Sequence, residues 1–119
     1  MADVLVIDDD PQIRRLIIRI LRGAGHTVRE AENGRLGIAE FQREHPALVI
    51  SDLVMPDMEG IETIRALRSE ASEMPIIAIS GGGDPVYLRA AVALGATAVL
   101  DKPFSADQLL DLVVSLIGG

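Results

Sequence analysis

The chain of 119 residues has no cysteine and no tryptophan. Without cysteine it can form no disulfide, no thiolate metal site and no cysteine nucleophile, which fits a reducing compartment, and we expect a cytoplasmic location. No apolar stretch approaches the roughly 18 residues that a membrane-spanning helix needs. The first residues also lack the basic segment of a signal peptide. We therefore expect no membrane partner.

Basic residues are scarce as well. Eleven lysines and arginines stand against 18 aspartates and glutamates, for a net charge of −7. This charge argues against direct nucleic acid binding by this domain, because the phosphates would be repelled. Hydrophobic residues, in contrast, make up 49% of the chain, which is enough to bury a core and argues against disorder. The length predicts a single domain over residues 1–119.

Short apolar runs alternate with amphipathic segments about five times, which predicts a parallel sheet with helices on both faces. The first helix should begin at Asp10 and Pro11, since aspartate is a good N-cap and proline suits the first helical position. The alternating segment 27–31 predicts an edge strand. The predicted core stripe of the first helix is Ile13, Leu16, Ile17, Ile20 and Leu21. Further helices are predicted over about 36–44, after Gly60, from Asp84 to near Gly95, and from the capping-box pair Ser105 and Gln108 to about Ile117.

Four of the apolar runs end near a reactive polar side chain. The runs at 4–7, 48–51, 76–79 and 98–100 lead to Asp8 and Asp9, to Asp52, to Ser80 and to Lys102, respectively. Ligands of an open α/β sheet bind just outside the carboxyl ends of its strands. These distant residues could therefore meet in one pocket, and their chemistry suits a divalent cation and a phosphoryl group.

The three acids would repel one another if they met. Two carboxylates ~5 Å apart at an effective dielectric constant of ~20 are unfavourable by roughly 3 kcal/mol. Mg²⁺ would remove this repulsion, because it accepts a few carboxylate oxygens and keeps several waters. The alternative is that the acidic run only caps the first helix. We accept that interpretation for Asp10 and leave both open for Asp8 and Asp9.

Three other residues also have ordinary explanations. Asp52 follows a buried strand, where an aspartate can accept a phosphoryl group, but aspartates before turns often bond local backbone amides. Ser80 precedes three glycines and could either donate to a phosphoryl oxygen or lie in a flexible turn. Lys102 could contact phosphate or be a surface lysine. Their shared position at strand ends favours a common site.

The chain resembles the receiver domain of two-component response regulators, the family of the chemotaxis receiver. The resemblance covers nearly the whole chain and is carried by segments 4–11 (VLVIDDDP), 51–60 (SDLVMPDMEG), 79–81 (ISG) and 101–104 (DKPF). It implies a flavodoxin-like α/β fold, with a five-stranded parallel sheet in the order 2-1-3-4-5 and five flanking helices.

The resemblance also implies a signalling role. A sensor histidine kinase or a histidine phosphotransfer protein would supply the phosphoryl group, and acetyl phosphate could replace it. The protein would be a switch rather than an enzyme, although it takes part in its own phosphorylation and dephosphorylation. The implied roles are Asp52 as phosphoacceptor, Asp8, Asp9, Asp52 and the backbone carbonyl of Val54 as Mg²⁺ ligands, Ser80 as switch hydroxyl, and Lys102, joined to Pro103 by a cis peptide, as the phosphoryl-contacting amine.

Two features depart from the family pattern. Most receivers have phenylalanine or tyrosine three residues before the lysine, where this chain has Val99. The loop of Gly81, Gly82 and Gly83 is also unusually rich in glycine. We therefore expect the switch to work by ordering that loop rather than by rotating a ring.

Two surfaces are candidates for partners. The first helix is predicted to expose Ile18 among Arg15, Arg19 and Arg22, beside which the family's kinase partners dock. The fourth and fifth helices are apolar on more sides than one sheet face can bury. We expect a homodimer or effector contact on the face made by the fourth helix, fifth strand and fifth helix.

Two other functions remain open. A Mg²⁺-dependent phosphatase with an aspartyl nucleophile places Asp-x-Asp after its first strand, as Asp8 and Asp10 are placed here, but Pro11 follows and the chain lacks a cap domain. A degenerate receiver would serve only as an interaction module, against which the complete set of site residues argues.

Overall fold

A computed structural model of the chain describes residues 2–53, 60–81 and 85–118, with the side chains of residues 85–88 outside that description. Strands and helices alternate throughout this part of the chain. They are β1 (Asp3–Ile7), α1 (Pro11–Gly23), β2 (Thr27–Ala31), α2 (Gly34–Arg43), β3 (Leu48–Asp52), α3 (Gly60–Glu70), β4 (Ile76–Ser80), α4 (Pro85–Leu94), β5 (Ala98–Asp101) and α5 (Ala106–Ile117).

All neighbouring strands pair in parallel, in the order β2-β1-β3-β4-β5. This confirms the predicted fold class, the strand order and the edge position of β2. None of the helices in the described ranges is long and apolar enough to cross a membrane.

The sheet separates two hydrophobic clusters, because successive side chains of a strand point to opposite faces. In β1, Val4 and Val6 join the cluster under α1 and α5, whereas Leu5 and Ile7 join the cluster under α2, α3 and α4. Strands β3 and β4 are buried along their whole length. This burial explains why their sequences read as continuous apolar runs.

Local capping fixes the starts of three helices. The side chain of Asp10 accepts a hydrogen bond from the amide of Gln12, and Pro11 opens α1, as predicted. Ser105 and Gln108 form the predicted capping box of α5. Helix α2 begins two residues earlier than predicted. Its N-cap is Asn33, whose side chain accepts a hydrogen bond from the amide of Leu36.

The orientation of α1 corrects two predictions. Ile18 is only 6% exposed, so it is not part of an outward face, whereas Leu16, predicted in the core, is 41% exposed. The helix turns about 100° per residue, and its buried face is centred between Ile17 and Leu21. Ile18 therefore lies at one edge of this buried face, and Leu16 lies beyond its other edge.

The apolar helices are only partly covered. In α5, Leu109 and Val113 are buried, Leu110 is half-buried, and Val114 is 52% exposed. In the described part of α4, Val92 is 57% exposed. Val86, Tyr87 and Leu88 belong to the apolar surface predicted for the fourth helix, and their side chains lie outside the described part of the chain.

Candidate functional site

The strand register brings the predicted site residues to one edge of the sheet. Ile7 at the end of β1 pairs with Ser51, so that Asp8 and Asp52 follow on neighbouring strands. On the next strand, Ser80 ends β4 and is buried. The amide of Lys102 donates to the carbonyl of Ser80 at 2.7 Å, which places the lysine directly after β5.

Three acids converge at this edge. Asp8, Asp9 and Asp52 each offer a carboxylate oxygen, and these three oxygens lie within 4.8 Å of one another. Asp8 is 1% exposed and Asp52 is 6% exposed, whereas Asp9 is exposed. The cluster is therefore open on the side of Asp9.

Lys102 supplies the positive charge of the site. Its Nζ lies 3.6 Å from Oδ2 of Asp52 and 3.8 Å from Oδ2 of Asp8. These distances exceed those of a close charge-assisted hydrogen bond. The ammonium therefore lies near two carboxylates without forming a close hydrogen bond to either.

Asp8 has an unusual carboxylate. Its Oδ1 accepts the amide of Asp10 at 2.9 Å, but its Oδ2 is buried and has no hydrogen-bond partner among the described residues. Burial raises the pKa of Asp8 from 3.8 to about 6, the charge of Asp52 adds to this rise, and the Asp10 amide and Lys102 oppose it. The ionised form of Asp8 is thus destabilised at neutral pH.

This raised pKa predicts that Asp8→Asn stabilises the metal-free domain. Because folded Asp8 keeps its proton to higher pH than the unfolded chain, stability falls as the pH rises from about 4 to about 6. The full difference is at most about 3 kcal/mol, and we expect Asp8→Asn to raise the free energy of unfolding by about 2 kcal/mol at about pH 7.5. The gain should vanish below about pH 4.

Urea unfolding with a chelator present, repeated across this pH range, would measure the effect. Asp111→Asn, at an exposed position of α5, is the matched control and should change little. An equal gain at every pH would contradict the explanation, because only the ionised form of Asp8 is penalised.

The donor set fits a hard divalent cation. Three carboxylates are gathered, one buried oxygen accepts no hydrogen bond from the described residues, and a cation would stabilise the form of Asp8 that burial destabilises. Oxygen ligands of this kind, with room for water at the open side, suit Mg²⁺.

Sequence reasoning missed Arg14, which contacts the acidic segment. Its Nη1 donates to the backbone carbonyl of Asp8 at 2.7 Å, and its Nε donates to Glu30 of β2 at 2.7 Å. The helical spacing held a signal, because position 14 shares a flank of α1 with Ile18. An arginine on a flank that is half-buried needs acceptors, which the strand ends supply.

Several predictions fall partly beyond the described residues. Val54, the expected carbonyl ligand, and Gly82 and Gly83 of the glycine loop lie outside them.

The Lys102–Pro103 peptide is cis, as the resemblance implied. Val99 is half-buried and packs against the cluster under α2, α3 and α4.

A sequence model of the response regulator receiver domain matches residues 4–114. The chain belongs to this family. Its receiver sequence is 39% identical to the KDP operon transcriptional regulatory protein KdpE of Escherichia coli over 109 residues, which cover 92% of this chain and 48% of KdpE. It is 37% identical to the C4-dicarboxylate transport transcriptional regulatory protein DctD of Pseudomonas aeruginosa, over 94% of this chain and 24% of DctD. The receiver therefore spans a quarter to a half of these relatives.

Solved structures show the same fold. The receiver superposes on the chemotaxis protein CheY4 of Vibrio cholerae with a TM-score of 0.92 at 34% identity, over 98% of both chains. It also superposes on NtrX of Brucella abortus with a TM-score of 0.94 at 30% identity, over 98% of this chain and 27% of that one. The strand-end edge described above is therefore the carboxyl edge of a receiver fold.

Proposed function

We propose that this receiver domain accepts a phosphoryl group on the Asp52 carboxylate and acts as a two-component signalling switch. The donor would be a sensor histidine kinase or a histidine phosphotransfer protein. The observation that carries the proposal is the position of the Lys102 ammonium, 3.6 Å from Asp52 and 3.8 Å from Asp8 at the open acid cluster. A nucleophilic carboxylate with an adjacent fixed cation suits the charge that a transferring phosphoryl group carries.

In the proposed reaction, an oxygen of Asp52 attacks phosphorus in line. An O–P bond forms while the P–N bond of a phosphohistidine breaks, and the departing imidazole keeps the electron pair. With acetyl phosphate, a P–O bond breaks and acetate leaves. Lys102 neutralises charge on the phosphoryl oxygens, and the hydroxyl of Ser80 donates a hydrogen bond to one of them.

The proposed cofactor is Mg²⁺. Asp8, Asp9 and Asp52 would hold it directly or through water, together with the backbone carbonyl of Val54. When bound, Mg²⁺ would neutralise charge on the carboxylates and on the phosphoryl oxygens.

Asp10 favours the switch over a phosphatase. A phosphatase of the Asp-x-Asp type would need its second aspartate as a working acid or base. Here the side chain of Asp10 accepts a hydrogen bond from the amide of Gln12 and caps α1, so this carboxylate already has a structural role. We therefore propose a domain that holds one phosphoryl group rather than an enzyme that turns over phosphate esters.

Mass spectrometry after incubation with acetyl phosphate tests the proposal. We expect one phosphoryl group per chain in the presence of Mg²⁺ and none with a chelator. Steady release of phosphate from generic esters would favour the phosphatase, and no incorporation under either condition would favour an interaction module.

A small apolar cavity beside Lys102 suits the ring of a phosphohistidine. The cavity has a volume of about 260 Å³, and half-exposed Leu16 lies at its border. An imidazole could rest on this apolar surface with its phosphoryl group directed towards Lys102. The cavity is lined by Ile13, Leu16, Gly81, Lys102, Pro103 and Phe104.

We expect Leu16→Asp to slow transfer from a phosphohistidine protein by about 10-fold, since a charge would replace about one good apolar contact. Labelling by acetyl phosphate should be unchanged, because this small donor needs no docking surface. Leu36→Asp is the matched control, since Leu36 is 46% exposed on α2, away from the cavity. Equal slowing by both variants, or slowing with acetyl phosphate as well, would contradict the assignment.

The output of the switch is proposed to run through α4, β5 and α5. Val92 and Val114 expose apolar surface on the two helices, which suits a homodimer or an effector domain. With Val99 in place of an aromatic ring, we propose that phosphorylation orders the loop of Gly81, Gly82 and Gly83 and so biases a two-state equilibrium. A cytoplasmic location and a single receiver domain over residues 1–119 belong to the same proposal.

A further inference from the structure

Arg14 joins three elements at the edge of the acid cluster. It lies in the first turns of α1, and its side chain is 15% exposed. One arm of the guanidinium donates to the carbonyl of Asp8, and its Nε donates to Glu30 on β2, both at 2.7 Å. Two directed bonds from one planar group fix its position far better than one bond would.

These contacts determine the orientation of the peptide that links Asp8 to Asp9. The amide of Asp8 donates to the carbonyl of Ala31 at 3.1 Å, and its carbonyl is held by Arg14. Both ends of the Asp8 backbone are thus anchored to β2, one directly and one through Arg14 and Glu30. Asp9, which is exposed, follows immediately.

We infer that Arg14 is a positioning residue that aligns the carboxylates of Asp8 and Asp9 for the cation. This inference rests on the proposed Mg²⁺ site. Partners outside the ligand shell commonly change metal affinity by 10- to 100-fold when they are removed. Arg14 is such a partner, because it bonds the main chain of one ligand without contributing an oxygen of its own.

Charge and geometry predict opposite results for the removal of Arg14. Its positive charge repels a cation, so the loss of charge alone would tighten Mg²⁺ binding. The loss of the two directed bonds would let the peptide between Asp8 and Asp9 rotate, which would weaken binding. The direction of the change therefore separates the two roles.

The experiment is a Mg²⁺ titration of the isotope-labelled domain, in which the amide resonances of Asp8 and Asp9 report the dissociation constant. We expect Arg14→Met to weaken binding by about 10-fold. Arg14→Lys keeps the charge but loses the planar group that directs one N–H to Glu30 and another to the carbonyl, so it should weaken binding similarly. Arg35→Met removes an exposed charge on α2 and serves as the matched control, with wild-type affinity expected.

Glu30→Ala keeps Arg14 but frees one of its two bonds, and we expect an affinity between those of wild type and Arg14→Met. If Arg14→Met fails to fold, Glu30→Ala still tests the inference, because it removes one of the two bonds of Arg14 and leaves the arginine in place. Unchanged or tighter binding in Arg14→Met, or full affinity in Arg14→Lys, would overturn the inference while the Mg²⁺ site stands. A wild-type domain that does not bind Mg²⁺ would overturn both.

Discussion

Asp52→Asn should abolish phosphoryl uptake from acetyl phosphate, with a loss of at least about 1,000-fold in the rate of labelling. Asparagine has nearly the same shape, but its amide oxygen is a poor nucleophile. Asp52 is only 6% exposed and lies 3.6 Å from Lys102, so the substitution changes the chemistry of the site with little change in its shape. Intact-mass spectrometry over time would measure the loss.

Asp101→Asn provides a control at the same sheet edge. Asp101 ends β5 in register with Ser80, yet it is exposed and is not among the converging acids. Its replacement should leave labelling near the wild-type rate. Labelling of Asp52→Asn at the wild-type rate, with the phosphoryl group mapped to another residue, would show that the acceptor has been assigned wrongly.

Gly60→Ala should destabilise the domain by more than about 3 kcal/mol, because the added methyl group has no room. Gly60 is buried, and its amide donates to the carbonyl of Leu53 at 2.9 Å. A Cβ at this position would overlap the carbonyl oxygen of Asp52 and the backbone of Leu53. Backbone cannot rotate away as a side chain can, so any relief of this overlap must move the backbone at Asp52 and Leu53 or the start of α3.

Substitutions at two other glycines should cost less stability than Gly60→Ala. Gly23→Ala, at the end of α1 with no atom within 4 Å of the added carbon, should be neutral or stabilise by about 0.5 kcal/mol. Gly37→Ala would press on the side chain of Ile7, with Cγ1 at 2.7 Å, and should cost about 1 to 2 kcal/mol. Chemical unfolding of the three variants would test the order. A mild effect at Gly60 would mean that the β3–α3 connection can yield.

Local signals made the fold and most of the site predictable. Helix caps such as Asp10 and Ser105 depend on residues within one turn, so they can be predicted from the sequence. Buried parallel strands read as apolar runs, and the polar residue that follows each run falls at the same edge whatever the details of packing. Asp8, Asp52 and Lys102 therefore converge as the strand ends predicted.

The remaining features depend on how elements pack. Leu16 and Ile18 exchanged their expected environments because the rotation of α1 about its axis is set by contacts with β2 and α5, which no pattern within the helix contains. Asp8 is buried and Asp9 is exposed. This difference depends on how far the neighbouring elements cover the end of β1, which the local sequence does not contain. Arg14 was missed because its two acceptors lie 6 and 16 residues away along the chain.

The separation of the two hydrophobic clusters by the sheet gives the domain two layers that can diverge independently in evolution. Side chains of α1 and α5 share one cluster, and those of α2, α3 and α4 share the other. Substitutions that are more than about 7 to 10 Å apart and share no contacts combine additively. A lineage can therefore exchange the core side chains of one helical layer while the opposite layer and the strand ends between them retain their inherited form.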